Sequence, residues 1–273
     1  SQVVFAGIVD SVILNFWTNT LMTNIYEDFH RYFEVVMADT PELLREVFRI
    51  RYQVLCVERR LPGFDLSCYS DEQERDDYDD HSVHVILKHR PTGRYIGTVR
   101  LILFDPLQPN KPFPIELHAQ IDPHLLDINS LERQHTAEIS RFLILGQFNQ
   151  RRAERRNLKE RRIEADNNTQ SDRRSFPSLG LALVSGIVRM CKENNIKNWL
   201  SVMDPALNRL LSYFGSDLNP IGPIIDYHGL RRPYFIELAD VLAKMYQKNP
   251  QIWEVVTERG KYFYSSIQHD LKL

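Results

Sequence analysis

Cysteine is scarce in this chain, and its scarcity excludes two classes of protein. Only three cysteines occur among the 273 residues, and no two of them have the Cys-x-x-Cys spacing of a zinc site or a redox motif. Three cysteines are also too few for the disulfide framework of a small secreted domain. The sequence therefore predicts a protein of a reducing compartment, which we expect to be the cytoplasm.

A long uninterrupted hydrophobic run is missing as well. The most apolar stretch, VVFAGIVDSVILNFW, contains Asp10, follows no basic residue and is too short to cross a bilayer. We therefore expect no transmembrane segment. Residues 1–31 carry apolar side chains near helical spacing with polar residues between them. This pattern predicts an amphipathic N-terminal helical extension that packs on its own chain.

The chain has almost no excess of charge of either sign, since its net charge is -2, and we expect no nucleic-acid partner. The charges are nevertheless unevenly distributed. Residues 65–80 contain eight acids against one arginine, and residues 151–174 contain nine bases against five acids. Such runs are either solvated loops or surfaces that bind a partner, and composition leaves both interpretations open.

The order of the predicted elements defines a fold class. A strand over 32–38 is followed by a helix over 41–59, for which Thr40 is a suitable N-cap and Pro41 the first residue. The patterns then predict strands at 82–89, 95–104, AEISRFLIL and 198–204, a helix at 179–195, a short helix at ALNRLLSYFG, closing strands PIIDY and PYFIEL, and a helix near 238–247. This order indicates a single α+β domain over residues 32–273, with a charged insertion at 147–178.

Four short motifs place charged or polar residues in a characteristic order. They are RIRYQVL with Arg51, DDYDDHSVH with Asp77 and Asp80, GTVRL with Arg100, and EISRF with Glu138, Ser140 and Arg141. This order resembles that of the acyl-CoA N-acyltransferase (GNAT) fold, in particular the acyl-homoserine-lactone autoinducer synthases and the long-chain N-acyl amino acid synthases. The closest likeness is to bacterial acyltransferases associated with PEP-CTERM/exosortase systems, which share the DxxDH-x-x-H element. The resemblance covers roughly residues 32–245.

The resemblance implies a central mixed, mostly antiparallel sheet flanked by helices, and an N-acyltransferase activity. Glu138 is then the general base that takes a proton from the attacking amine, since partial burial raises the pKa of a carboxyl group. The amine would attack the thioester directly, without a covalent enzyme intermediate. The remaining implied substrate-binding residues surround Glu138 in the motifs or follow it on the strand: Arg51, Asp77, Asp80, Arg100, Ser140, Arg141 and Phe142.

The strand AEISRF is unusual because it places an acid, a hydroxyl and a base among apolar neighbours. Alternation along a strand sends Glu138 and Ser140 to one face and Arg141 to the other. We expect an ion-pair cluster of Arg51, Arg100 and Arg141 with Asp77 and Asp80, which shapes the pocket for the amine. The alternative is that these charges only satisfy one another.

The acyl donor is expected to be acyl carrier protein (ACP) rather than coenzyme A, which is kept as an alternative. Coenzyme A enzymes of this fold carry Q/R-x-x-G-x-G/A where this chain begins with Pro177, which has no N–H for a phosphate. The residues expected on the donor side are Ser178, Leu179, Gly180, Leu181 and Ala182. The arginines expected to dock the acidic ACP lie in the insertion: Arg151, Arg152, Arg155 and Arg156. No permanently bound cofactor is expected.

Two alternative functions stay open. One is an autoinducer synthase that uses S-adenosylmethionine; these enzymes carry an aromatic residue shortly after the first helix, where this chain has only Phe64 nearby. The other is a non-catalytic module that binds an acyl chain or a carrier protein. A metal site is not expected, because His81 and His84 are three residues apart and would face opposite sides of a strand.

Overall fold

The computed structural model describes residues 24–148, 179–215 and 218–263. The strands are β1 (Phe33–Met37), β2 (Ser82–His89), β3 (Arg94–Ile102), β4 (Thr136–Ile144), β5 (Asn198–Met203), β6 (Asn219–Pro220), β7 (Ile225–Asp226) and β8 (Leu230–Glu237). The α-helices are α1 (Ile25–Tyr32), α2 (Pro41–Tyr52), α3 (Pro114–His118), α4 (Leu179–Glu193), α5 (Pro205–Tyr213), α6 (Leu238–Lys248) and α7 (Pro250–Thr257).

The strands form a mixed sheet in the order β1-β2-β3-β4-β5-β8-β6, with β7 paired to β8. The β4–β5 pair is parallel, and the other pairs are antiparallel. The α+β class and the mostly antiparallel sheet that the sequence predicts are therefore confirmed. The β2–β3 hairpin also forms as expected, through a turn in which Gly93 has a φ of 68°.

Helix α2 begins where the capping residues predict. The Thr40 side chain accepts the N–H of Leu43 at 3.3 Å, and Pro41 occupies the first turn. The helix changes character after Tyr52, because residues Gln53–Glu58 form a π-helix. The single helix predicted over 41–59 is thus an α-helix followed directly by a π-helix, which ends at Glu58.

The two faces of the sheet are covered by different helices. On one face, Ile86 and Leu143 of the sheet form a buried cluster with Val47 and Ile50 of α2. Val54 of the π-helix that follows α2 belongs to the same cluster. On the other face, α4 packs so closely that a Cβ at Gly186 would lie 2.7 Å from Cγ1 of Val85. The α2 face contains the polar residues that the motifs identify, as described below.

Some predicted elements differ from the structure or lie outside it. Of the predicted amphipathic extension over 1–31, residues 1–23 lie outside the described part of the chain. The remainder belongs almost entirely to α1. Helix α7 was not predicted from the sequence, although Asn249 caps it by accepting the N–H of Ile252 at 3.2 Å and Pro250 begins it. Most of the charged insertion, residues 149–178, is also outside the described part. None of the described helices is long and apolar enough to span a membrane.

The contact between α4 and the sheet predicts that Gly186→Val destabilises the protein by about 1–3 kcal/mol, because the added methyl groups overlap Val85. Chemical denaturation measures this loss. Lys244→Val is the control, since it introduces the same side chain at an exposed position of α6. Equal effects of the two substitutions would contradict the close packing.

Candidate active site

A β-bulge in β4 orients the polar residues of EISRF. Ser140 lies opposite Arg100 and Leu143 opposite Thr98, so that Arg141 and Phe142 together face one residue of β3. Arg141 has a φ of 51°, in the left-handed region. The prediction that Arg141 lies on the opposite face from Ser140 was therefore wrong, because the bulge interrupts the alternation of the strand.

Ser140 and Arg141 reach the same cluster of charges. Arg100 donates from Nε to Oγ of Ser140 at 2.8 Å and from Nη2 to Oδ2 of Asp76 at 3.1 Å. Arg141 donates from Nη2 to the same Asp76 oxygen at 2.9 Å. We call the six charged residues that meet here the ion cluster: Arg51, Arg100, Arg141, Glu74, Asp76 and Asp79.

The ion cluster contains as many positive as negative groups and is largely hidden from solvent. Arg51 is 0% exposed and Arg100 is 1% exposed. Arg51 bonds to Glu74 and donates to Asp79 at 2.6 Å, and Arg100 donates to Asp79 at 2.8 Å. Three guanidiniums against three carboxylates give no net charge when all are ionised.

The acids of the ion cluster are not those that the sequence analysis selected. Asp77 and Asp80 are exposed and make no ion pair within the described part of the chain. The predicted spacing of three residues between the two acids is correct, but the pair is Asp76 and Asp79, one residue earlier than predicted. The turn that selects this pair is closed by the N–H of Asp76, which donates to the Asp79 carboxylate at 2.8 Å. Glu74 was missed; its own N–H donates to the carbonyl of Phe48, which brings the carboxylate against α2.

The carboxylates of the ion cluster stay ionised at neutral pH. Burial alone raises the pKa of Asp79, but the hydrogen bonds and charge of Arg51 outweigh it and hold that pKa well below the usual range. The same balance lowers the pKa of Glu74, where burial is opposed by Arg141 and Arg51. The charge balance of the cluster therefore persists through the neutral range.

Glu138 lies outside this balance and has a different protonation behaviour. Its side chain is buried on β4 between Ile102 of β3 and Leu200 of β5, and it accepts the N–H of Ile115 at 2.8 Å. Burial raises the pKa of Glu138 to about 8, and the opposing effects of Ile115 and Arg100 are smaller. The carboxyl is thus mostly neutral at pH 7.

The sheet opens directly beside Glu138. The pairing of β4 with β5 runs from Thr136–Asn198 to Ile139–Ser201, although β4 continues to Ile144 and β5 to Met203. Among the described residues, β4 therefore has no partner on this side from Ser140 onwards. The two strands therefore separate immediately after Ile139.

Aromatic side chains border the side of the ion cluster next to Arg141. The Arg141 guanidinium lies 5.2 Å from the ring centre of Phe64, whose ring is 5.1 Å from that of His228. Tyr227 stacks on His118 at 4.7 Å. Burial raises the pKa of Tyr227, whose ring also lies 4.5 Å from that of His228.

The other residues named from the sequence lie away from this centre or beyond the described chain. Phe142 packs against the core on the α4 face, opposite the ion cluster. Leu181 and Ala182 are buried in that same core, Gly180 is buried beside them, and Leu179 begins α4. Ser178 and the arginines Arg151, Arg152, Arg155 and Arg156 lie outside the described residues.

Comparison with known proteins supports the fold. Residues 50–158 match the acetyltransferase (GNAT) domain family. The structure is similar to TofI in a ternary complex with an inhibitor and MTA (19% identity, TM-score 0.50, 81% of this chain and 99% of that one). It is also similar to the AHL synthase LasI (22% identity, TM-score 0.50, 79% and 95%). No curated protein matches the sequence.

A third similar structure is FeeM, an N-acyl amino acid synthase from uncultured soil microbes (12% identity, TM-score 0.47, 78% of this chain and 93% of that one). The domain match and the two structures with the higher TM-score show that the chain has the GNAT fold. This confirms the predicted fold and agrees with the prediction of an acyltransferase-type domain.

The buried pairing of Arg51 predicts that Arg51→Met destabilises the protein by about 3–5 kcal/mol, because Glu74 and Asp79 would lose a partner in the interior. Urea denaturation measures the change. Arg45→Met is the matched control, since Arg45 forms an exposed pair with Glu42 and its loss should have little effect. A small effect of Arg51→Met would show that the cluster does not depend on it.

Proposed function

We propose that this protein is an N-acyltransferase that moves a medium or long fatty acyl group from a thioester to the amine of an amino acid or a similar small amine. The observation that supports this most is the position of Glu138, a neutral buried carboxyl with a pKa of about 8 beside the point where β4 and β5 separate. A general base works best when its pKa lies near the working pH. The GNAT fold makes acyl transfer the chemistry expected of such a site.

The proposed reaction is a direct displacement. The ionised Glu138 takes a proton from the acceptor ammonium, directly or through a water molecule, and so provides the neutral amine. The amine nitrogen attacks the carbonyl carbon of the thioester, a C–N bond forms and the C–S bond breaks. The nitrogen's second proton passes to the departing thiolate, which leaves as the thiol, and the protonated Glu138 releases its proton to the solvent. Backbone N–H groups of β4 beyond Ile139, which are not paired with β5, are the proposed donors to the developing oxyanion.

The ion cluster positions this chemistry. Arg100 joins Ser140 to Asp76 and Asp79, so the strand that carries Glu138 is tied to the loop in front of it. Arg141 and the neighbouring Phe64 form one border of the space where the acceptor amine is proposed to bind. Arg100 and Arg141 of the cluster lower the pKa of Glu138, but burial outweighs them.

The proposed donor is acyl-ACP, with acyl-CoA as the alternative. This rests on Pro177, which removes an N–H from the region where α4 begins, and on the arginines of the insertion. The assignment to the group associated with PEP-CTERM/exosortase systems stays a prediction. It concerns the biological setting and does not alter the proposed reaction.

An acyl-homoserine-lactone synthase is the second candidate function. The shared fold with LasI and the place of Phe64 beside Arg141 favour it. Incubating the protein with acyl-ACPs and a panel of amino acids, amines and S-adenosylmethionine separates the candidates by the mass of the product. Lactone formed from S-adenosylmethionine, with no acylated amino acid, would overturn the first proposal.

The role of Glu138 predicts that Glu138→Gln lowers kcat on the order of 10²–10⁴-fold while donor binding is kept, because glutamine retains the shape but accepts no proton. The wild-type rate should rise with pH to an apparent pKa near 8. Single-turnover rates between pH 6 and 10 measure both effects.

Two acceptor amines of different pKa serve as the control for this pH profile. The step that belongs to Glu138 should stay in place when the amine is exchanged, whereas a step that belongs to the amine moves with it. The same experiment separates an enzyme from a non-catalytic binding module. Unchanged turnover in Glu138→Gln would remove Glu138 from the mechanism, and the absence of any turnover by the wild-type protein would favour the binding module.

The basic insertion predicts that reversing Arg151, Arg152, Arg155 and Arg156 to Glu raises the apparent KM for acyl-ACP several-fold. ACPs are acidic, and charge complementarity acts mainly on association and weakens with salt. Turnover of a small acyl-pantetheine thioester is the control and should change little. Equal use of acyl-ACP by both proteins at low and high salt would place the docking surface elsewhere.

A further inference from the structure

The three arginines of the ion cluster do not use their nitrogens in the same way. Arg51 and Arg100 are almost fully buried, and each is hydrogen-bonded through Nε and both terminal nitrogens. The side chain of Arg141 is 20% exposed, and its bonds to Glu74 and Asp76 use only Nε and Nη2. Within the described residues, Nη1 of Arg141 has no hydrogen-bond partner. Nη1 is also not among the polar atoms that are buried without a partner, so solvent or a ligand reaches it.

The open nitrogen of Arg141 is held in a fixed direction. Nε donates to Oε2 of Glu74 at 3.1 Å, and Nη2 donates to Oε1 of Glu74 at 2.8 Å and to Oδ2 of Asp76 at 2.9 Å. Because the guanidinium is planar, these three bonds also fix the two N–H groups of Nη1. A donor that is already ordered loses little conformational entropy when it binds a ligand. A carboxylate suits it best, since a hydrogen bond between two charged groups is stronger than one between neutral groups.

Arg141 and Glu138 lie on the same side of the sheet. Glu138 and Ser140 share that side because side chains alternate along β4, and Ser140 contacts the ion cluster through Arg100. The bulge brings Arg141 to the cluster as well. Three residues of a strand span about 10 Å, a length that a small ligand and one water molecule cover. One ligand can therefore contact both groups.

Aromatic side chains lie next to the open nitrogen. The ring centre of Phe64 is 5.2 Å from the Arg141 guanidinium and 5.1 Å from the ring centre of His228. Both rings are half-buried, so part of their surface faces solvent. An apolar or aromatic side chain of a ligand bound at Arg141 would pack against this surface.

The charges around Arg141 favour a ligand that carries both signs. The acid-rich stretch 65–80 contains Glu74 and Asp76, and it disfavours a ligand with only a negative charge. A ligand with only a positive charge leaves Nη1 of Arg141 without an acceptor. A zwitterion meets both conditions. It also adds no net charge to a site in which the ion cluster is balanced and Glu138 is neutral at pH 7.

We propose that the acceptor amine belongs to an α-amino acid with an apolar side chain, and that Arg141 is the residue that recognises its carboxylate. The carboxylate accepts hydrogen bonds from Nη1, the side chain packs against Phe64 and His228, and the amine faces Glu138 directly or through a water molecule. This inference rests on the proposed acyltransferase function. It narrows the acceptor from small amines in general to amines that carry a carboxylate on the adjacent carbon.

Three compounds that share a phenyl group test the carboxylate. L-Phenylalanine has both charged groups, 2-phenylethylamine lacks the carboxylate, and 3-phenylpropanoate lacks the amine. Isothermal titration of the full-length protein at pH 7, without an acyl donor, measures their affinities. Phenylalanine should bind about tenfold more tightly than either, because it alone gains the bond to Nη1 without adding a net charge. Equal affinities for phenylalanine and 2-phenylethylamine, or no binding of phenylalanine, would overturn the inference.

Acylation of the two amines separates this inference from the proposed function. With one acyl-ACP as the donor, kcat/KM for phenylalanine should exceed that for 2-phenylethylamine about tenfold, mainly through KM. Equal kcat/KM values would overturn the role of the carboxylate and leave the acyltransferase function in place. Selective binding of phenylalanine, with no acylation of any amine by acyl-ACP or acyl-CoA, would overturn the function and leave the carboxylate site in place.

The substitution Arg141→Lys tests the residue. Lysine keeps the positive charge opposite Glu74 and Asp76, but a single nitrogen replaces the two edges of the guanidinium. The affinity for phenylalanine should fall about tenfold, whereas that for 2-phenylethylamine should stay unchanged, which also shows that the variant is folded. Arg45→Lys, the same substitution in an exposed pair with Glu42, is the control and should keep both affinities. Wild-type affinity for phenylalanine in Arg141→Lys, or an equal loss for both ligands, would contradict recognition by Arg141.

Discussion

Arg100 holds together the part of the molecule on which the candidate chemistry depends. Its guanidinium, 1% exposed, donates to Ser140 of β4 and to Asp76 and Asp79 of the loop that precedes β2. A buried arginine is tolerated only when its charge is matched, and here each of the three arginines of the ion cluster has acidic partners. The loop, α2 and β4 are therefore constrained to one another by a single set of ion pairs.

The charge balance has a direct consequence for Glu138. Were an arginine of the cluster left without an acid, its charge would act on the nearby Glu138 carboxyl and lower the pKa of that group. In the intact cluster the guanidiniums are bound to Glu74, Asp76 and Asp79. Arg100 and Arg141 still lower the pKa of Glu138, but burial is the larger effect and raises it to about 8. Glu138 is thus a carboxyl of raised pKa at the place where β4 separates from β5.

Periodicity and capping residues were sufficient to predict most of the fold, since the main strands and the start of α2 at Thr40 lie close to where the sequence puts them. The site was predicted less completely. The bulge at Arg141 depends on the pairing between strands, which no local pattern encodes, and it reversed the predicted direction of that side chain. The predicted pair of acids, Asp77 and Asp80, is one residue away from the observed pair, Asp76 and Asp79. Both pairs have the same spacing in the sequence, and only the turn closed by the Asp79 carboxylate selects between them.

The central claim is that Glu138 is a neutral, buried carboxyl at pH 7 that ionises near pH 8. Infrared difference titration measures this directly, when the carboxyl band of the wild-type protein is compared with that of Glu138→Gln between pH 4 and 10. The account predicts that a protonated carboxyl signal, absent from the variant, disappears with a midpoint near 8. A midpoint near 4.5, the value of an exposed glutamate, would contradict it.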